Sequence, residues 1–598
     1  MSAEHKPDRT ARLAALRAEL ARAGLDGFIV PRSDEYLGEY VPPSGARLKW
    51  LTGFTGSAGL AIVLADRAAV FTDGRYVTQV AQQTDPAFWE RRHITDEPPA
   101  VWLKEHAAGR RVGYDPWLHS PGGIERLTVA GVELIPVDRN PLDTVWTDRP
   151  AEPAAPAEPW PDRYAGRTAA EKRALIADAL RTDGQDAAVL SDPHSVAWLL
   201  NLRGADLANT PLALGFAIVA EDAGVQVFMD PSKAGPDLRA TLGNAVSFAP
   251  RTALPAALSA LSGKKVRLDA ESTPAWFDRT LRAAGATVVG AADPVRLPRA
   301  QKTAAEQDGA RAAHRRDARA MARFLAWFRS TAPSGALTEM AVADELLRFR
   351  QREDLFRGES FPAISGAGEN GAVIHYRASP STNRAVRADE GFLIDSGGQY
   401  LDGTTDITRT LWTGPGPAMS DLRDRYTLVL RGMLALSATR FPEGVAGPHL
   451  DVIARRPLWE AGLDFDHGTG HGVGAYLSVH EGPAAFSRAA ANVPLREGMI
   501  LSDEPGYYLP GAYGIRIENL LLVQRDETLA AKKTWLRFET LTLVPFDRRL
   551  IATEALLPPE RAAVDAYHAR VLAEIAPMLD RPEDAATLDW LRRACAPL

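Results

Sequence analysis

Two stretches of the chain repeat one another in order. "DGFIV" from Asp26 precedes "GLAIVLADRAAVFTDGRY" from Gly59, and "DAAVLSD" from Asp186 precedes "LGFAIVAEDAGVQVFMDPS" from Leu214. Each set reads as buried strands joined by a turn; the first follows a helix that ends near Gly24. Between the strands of each set lies a tryptophan segment, "WLTGF" at Trp50 and "WLLNLRG" at Trp198, with a longer insertion in the first. A repeat of this kind predicts two tandem α/β domains, each burying its own sheet. In a chain of 598 residues, they leave about 300 for something else.

The boundaries follow from composition and capping. Residues 148–163, "DRPAEPAAPAEPWPDR", are dense in proline and alanine and carry no period, as a linker would. Thr303 followed by Glu306 forms a capping-box pattern ahead of a long Ala- and Arg-rich helix. We therefore expect α/β domains at 1–149 and 164–300, a linker at 150–163, a larger domain at 301–550 and a helical extension at 551–598. In the larger domain, helices are expected near 303–330, 336–352, 420–440 and 448–461. Strands are expected at "GFLIDSG", "TTDITRTLW", "GMILSDEPGYY" and "YGIRIENLLLV". Helices grouped against an antiparallel sheet make this domain α+β.

A net charge of −7 with interspersed signs and no basic run argues against nucleic acid as the main partner. No apolar stretch approaches the about 18 residues that a membrane span needs. The N-terminal segment mixes acids with arginines and has no apolar leader core, and a lone cysteine, Cys595, forms no internal disulfide. Both point to a cytoplasmic protein.

The chemistry lies in paired carboxylates. Asp395 ends the apolar run "GFLI", and Asp406 follows eleven residues later across "LDG". A hairpin centred near Tyr400 would set the two acids opposite each other, about 5 Å apart. Glu504 and Glu518 flank "LPGAYG" in the same way, and a hairpin centred on Gly511 would oppose them. Arg516 would share the face of Glu518, with Ile515 and Ile517 turned away. Four carboxylates in a partly dry cleft demand raised pKa values or cations, and two divalent ions balance the charge. Oxygen ligands with one imidazole suit Mn²⁺, with Co²⁺, Fe²⁺ or Zn²⁺ as alternatives.

The imidazole would come from "DFDHGTGHGVG", residues 464–474. Its "GHGVGA" satisfies a dinucleotide-loop pattern, but no buried strand precedes it and no obvious helix follows. His375, His467, His471 and His480 all lie near the acids in sequence and could bind metal or move protons near neutral pH. The residues alone leave open which of His467 and His471 touches the metal.

Together, "IDSGGQYLDGTTDITRT", "HGTGHGVGAYLSVHEGP", "SDEPGYY" and "GIRIENL" resemble the metallopeptidases of the pita-bread fold, and among them the three-domain Xaa-Pro aminopeptidases. The resemblance extends to "PRSDEYLGEYVPP", "LTGFTGSAG" and "FTDGRYVTQ" in the first domain. It implies two creatinase-like N-terminal domains before a pita-bread catalytic domain. It further implies that Asp395, Asp406, His471, Glu504 and Glu518 bind two metal ions, usually Mn²⁺, with Asp406 and Glu518 bridging. His375, His467 and His480 match the family's substrate-contacting histidines, and Arg516 a nearby basic residue. The implied substrates are peptides with proline in second position, and the implied assembly is a homodimer.

On this reading a metal-bridging hydroxide attacks the first peptide carbonyl, Glu504 carries the proton, and His375 or His480 stabilises the oxyanion. A prolidase, cleaving Xaa-Pro dipeptides, and a non-catalytic peptide-binding scaffold are the rival readings. A methionine aminopeptidase would leave the first 300 residues unexplained.

Overall fold

Asp26 and Asp186, which precede the first strand of each repeat, make the same bonds. The Asp26 carboxylate accepts from Arg111 N–H at 2.8 Å while its own N–H donates to Arg111 O, also at 2.8 Å. Asp186 does the same with Lys265, at 2.7 and 2.9 Å. Each aspartate thereby aligns its strand in parallel with a neighbour from later in the chain. The computed structural model containing these bonds describes residues 9–529 and 532–598; Met1–Asp8, the start of the segment read as lacking a leader, lie outside the described residues.

The two repeats share one topology. The first sheet runs Glu90–His93, Ala68–Thr72, Leu60–Leu64, Gly27–Pro31, Arg111–Tyr114 and Glu133–Pro136 from edge to edge. The second runs Val246–Ala249, Val225–Phe228, Phe216–Ala220, Ala187–Leu190, Lys265–Leu268 and Thr287–Gly290. In both, the first strand pairs antiparallel with the second and parallel with the fifth. The duplication read from sequence therefore extends to strand order and direction. The repeats pack through aromatic rings, Tyr36 on Phe216 at 4.6 Å and Trp117 on Trp276 at 4.0 Å. These repeats form one compact unit, Arg167–Val295 together with the chain up to Trp160, and Pro161–Gly166 with Arg296–Leu598 form a second.

The proline-rich stretch differs from an unstructured linker at its end. Glu158–Pro159 pairs with Leu202–Arg203, and buried Trp160 donates its N–H to Asn201 O at 2.6 Å. Proline is tolerated in so short an edge strand, and burial of the indole fixes it.

In the second unit, Thr303 and Glu306 form the expected capping box on the helix Ala304–Thr331. The helix buries Phe324 and Phe328 against Phe392 and Ile394 of the strand Gly391–Ser396. Helices Glu339–Arg350, Ser420–Ser437 and Gly447–Glu460 follow, and every strand pairing in the unit is antiparallel. The strands form several ladders rather than one sheet. Helices Pro558–Ile575 and Ala585–Ala594 add Val571, Ile575 and Leu591 to the core around Phe324, and Cys595, just past the second helix, joins them. Among the described residues no helix is long and apolar enough to cross a membrane.

Candidate metal centre

The second acid hairpin has the expected register. Gly506 pairs with Arg516 and Asp503 with Asn519, so one register runs on both sides of a gap in the ladders, and Glu504 faces Glu518 within that gap. The first hairpin is shifted. Its two-residue tip is Leu401–Asp402, because Tyr400 pairs with Gly403, and Asp395 lies opposite Thr408. Asp406 is two residues nearer the tip. The shift preserves its face, since side chains alternate, but makes the two aspartates diagonal rather than opposite.

His471 joins them from the strand Gly470–Gly472. A side chain at Gly470 would sit 1.9 Å from the Ser502 carbonyl, so only glycine lets this strand approach the acids so closely. The His471 N–H donates to Ser502 Oγ at 2.9 Å, and that hydroxyl donates to Glu504 Oε1 at 3.1 Å. Nδ1 lies 3.0 Å from Gly472 O, which can only accept, so Nδ1 carries the proton. Nε2 then offers its lone pair, 3.5 Å from Asp406 Oδ2 and 3.4 Å from Glu504 Oε1. Ligand atoms of Asp406, His471 and Glu518 all lie within 4.8 Å of one another.

Burial and mutual repulsion push Asp406 and Glu518 well above the ordinary carboxylate range. Loss of water raises Glu504 to about 7, with Arg516 opposing and Asp395 adding to the rise. Asp395 Oδ1, Asp406 Oδ1 and Glu518 Oε1 are buried and accept no hydrogen bond from the described residues. Bare carboxylate oxygens around an unprotonated imidazole nitrogen form a hard-to-borderline donor set, which fits divalent cations; ionised without them, the same acids would be costly to bury.

The remaining predicted residues surround this cluster. Arg516 donates to Asp395 Oδ2 at 2.7 Å, to the Tyr508 hydroxyl at 2.7 Å and to Thr408 Oγ1 at 3.2 Å. Thr408 Oγ1 in turn donates to Glu518 Oε2 at 2.8 Å. His467 Nδ1 lies 2.8 Å from Gly468 O and Nε2 lies 2.9 Å from the Tyr508 hydroxyl, so both of its nitrogens are engaged within the protein. The His480 ring meets the His471 ring edge-on at 4.3 Å. His375 follows Ile374, whose carbonyl is 3.4 Å from Arg516 Nη1. Thr408, Ser502, Tyr508 and fully buried Asp503 are not among the residues expected from the sequence. Tyr508, four residues after Glu504 on the same hairpin, has a position that marks it, whereas the Thr408 and Ser502 hydroxyls carry no comparable signal.

Residues 12–145 and 148–306 each match the creatinase/prolidase N-terminal domain, 308–525 match metallopeptidase family M24, and 534–598 match that family's C-terminal region. A probable Xaa-Pro aminopeptidase P of Neosartorya fischeri is 37% identical over 613 residues, covering 98% of this chain and 93% of its own. One from Laccaria bicolor is 36% identical, covering 99% and 94%. The crystal structure of X-prolyl aminopeptidase from Caenorhabditis elegans, described as a cytosolic enzyme with a di-nuclear active site, superposes with a TM-score of 0.93 at 32% identity, covering 99% of this chain and 100% of that one.

Proposed function

The chain belongs to the three-domain Xaa-Pro aminopeptidases of metallopeptidase family M24, and from that premise we propose that it releases the N-terminal residue from peptides with proline in second position. Two divalent ions, Mn²⁺ in the first instance, would be held by Asp395, Asp406, His471, Glu504 and Glu518. The observation that carries this reading is the convergence of Asp406, His471 and Glu518 within 4.8 Å around buried, unbonded carboxylate oxygens. When bound, such ions supply an activated water and polarise the scissile carbonyl.

The chain's own residues divide the remaining work. Glu504 holds the proton in transit: with its side chain 17% exposed, it keeps access to solvent. His480, against His471, and His375 donate to the oxygen on which charge develops. Asp395 Oδ1 is available to the substrate's ammonium group as well as to an ion, because Arg516 occupies Oδ2. His467 acts through Tyr508: the Tyr508 hydroxyl accepts from Arg516 and donates to His467 Nε2, so the histidine orients that hydroxyl beside Arg516. An Xaa-Pro bond is a tertiary amide, and a site shaped for its ring discriminates against ordinary peptides.

Its likeness to an enzyme described as cytosolic and its single cysteine support a cytoplasmic setting; gel filtration tests the homodimer that the family implies. The deciding experiment compares Mn²⁺-loaded protein on Xaa-Pro-Yaa peptides and Xaa-Pro dipeptides. Release from the longer peptides is expected. Turnover confined to dipeptides would make the protein a prolidase, and no release from either would favour the scaffold.

A further inference from the structure

Arg409 follows Thr408 on the strand Ile407–Trp412 and is fully buried, yet its guanidinium has no carboxylate partner among the described residues. Its donors go to backbone and neutral groups instead. Nη1 donates to Thr408 O at 2.9 Å and Glu518 O at 2.7 Å, Nη2 to Asn519 Oδ1 at 2.8 Å and Val544 O at 2.7 Å, and Nε to Pro545 O at 3.3 Å. A buried charge solvated only by neutral oxygens is costly, and here those oxygens come from Thr408 beside it, from Glu518 and Asn519, and from the segment at Val544 and Pro545.

The same guanidinium reaches the C-terminal helix. Nη2 lies 3.2 Å from the hydroxyl of Tyr567 on Pro558–Ile575, and the guanidinium carbon sits 4.9 Å over the ring of Phe546, on which the Tyr567 ring stacks at 4.8 Å. The hydroxyl also accepts from Val544 N–H at 3.2 Å and lies 2.9 Å from Val544 O and 3.1 Å from Thr542 O. Next along the helix, His568 Nε2 accepts from Phe546 N–H at 3.1 Å. Residues 541–546 form no strand or helix, so their backbone groups need such partners.

We propose that Tyr567 and Arg409 form a strut by which the C-terminal helical region sets the position of Glu518, making that region part of the metal centre. The inference rests on the reading of Glu518 as a metal ligand. The path is short: Tyr567 fixes Arg409, Arg409 ties the Glu518 and Thr408 carbonyls, and Thr408 Oγ1 bonds the Glu518 carboxylate. Arg409 and Tyr567 are positioning residues and touch no substrate.

The test titrates chelator-stripped, full-length protein with Mn²⁺, following free ion by electron paramagnetic resonance, for Tyr567→Phe, Arg409→Lys, Glu518→Gln and Asp584→Asn. Asp584 joins the same region to the core through Arg323, at 2.7 and 2.8 Å, without touching the strut. Tyr567→Phe and Arg409→Lys should weaken Mn²⁺ binding at least about tenfold, in the range of partners that orient metal ligands, whereas Asp584→Asn lowers the melting temperature and leaves affinity unchanged. Unchanged affinity in the strut variants with loss in Glu518→Gln overturns the strut. Unchanged affinity in Glu518→Gln as well overturns it through the ligand assignment itself. Equal weakening in Asp584→Asn overturns it as general loosening. If Arg409→Lys does not fold, Tyr567→Phe carries the comparison.

Discussion

The two acid hairpins of the second unit solve one problem in different ways. The Glu504–Glu518 hairpin keeps one register on both sides of its gap and sets its acids face to face. In the Asp395–Asp406 hairpin the acids are diagonal, and continuing its register puts Gly397 across from Asp406. A side chain there would lie 2.0 Å from Thr405 O, so the chain at this point is packed backbone to backbone. Three of the four acids, Asp406, Glu504 and Glu518, lie outside the named strands, and only Asp395 is held in a ladder. The Glu518 and Glu504 side chains, at such gaps, are positioned by bonds from Thr408 and Ser502 more than by pleat.

Breaking either hairpin's acid should have the largest effect. Asp406→Ala and Glu518→Gln are each expected to cut kcat/KM by more than about 100-fold with loss of bound metal, beyond the range for second-layer partners; elemental analysis beside peptide turnover checks it. The two histidines come next. His471→Ala should lose metal, whereas His467→Ala should keep it and lose about tenfold in kcat, the lower range for removing a partner that orients a group in the site. Equal metal loss in both would erase that distinction. Tyr508→Phe, which removes one hydroxyl between His467 and Arg516, should cost about tenfold with metal retained, measured in the same assays.

The smallest effect concerns pH. In metal-free protein Asp406, Glu504 and Glu518 have folded pKa values raised above those of the unfolded chain, so the folded state binds more protons above the ordinary carboxylate range. The contribution of these acids to stability should therefore fall as pH rises from about 4.5 towards 7, the interval over which Glu504 titrates. Mn²⁺ should remove this slope by stabilising the ionised carboxylates. Burial lowers His119 and His568 to about 4, which adds an opposite slope with or without metal. Urea unfolding at pH 5 and 7 is therefore read as the metal-free minus the Mn²⁺-loaded change, and a difference that rises over this interval would contradict the sign.

Sequence made the repeat legible because its central strands are uninterrupted apolar runs, such as Leu60–Leu64 and Phe216–Ala220. Strands such as Glu90–His93, "ERRH", stayed hidden: as a sheet edge this strand is only half-buried, and its charges blunt the edge rather than mark a core. In the candidate site, alternation gave the shared face of Arg516 and Glu518, whose side chains both bond Thr408 Oγ1. The tip of the first hairpin could not be read, because "YLDG" admits more than one turn and only pairing decides. The bonds that orient the acids come largely from hydroxyls, which have no charge or period to betray them, and from glycine approaches that depend on distant strands.

The lone cysteine has a use of its own. Cys595 is buried in the core that the C-terminal helices share with Phe324, and burial lifts its thiol to about 12. An alkylating reagent needs exposed thiolate, so the folded protein should stay unlabelled while any opened C-terminal region reacts. The chain thus contains a built-in reporter: the rate of Cys595 labelling times the detachment of its last helices, and a cysteine engineered onto the surface would take up a probe against a silent background.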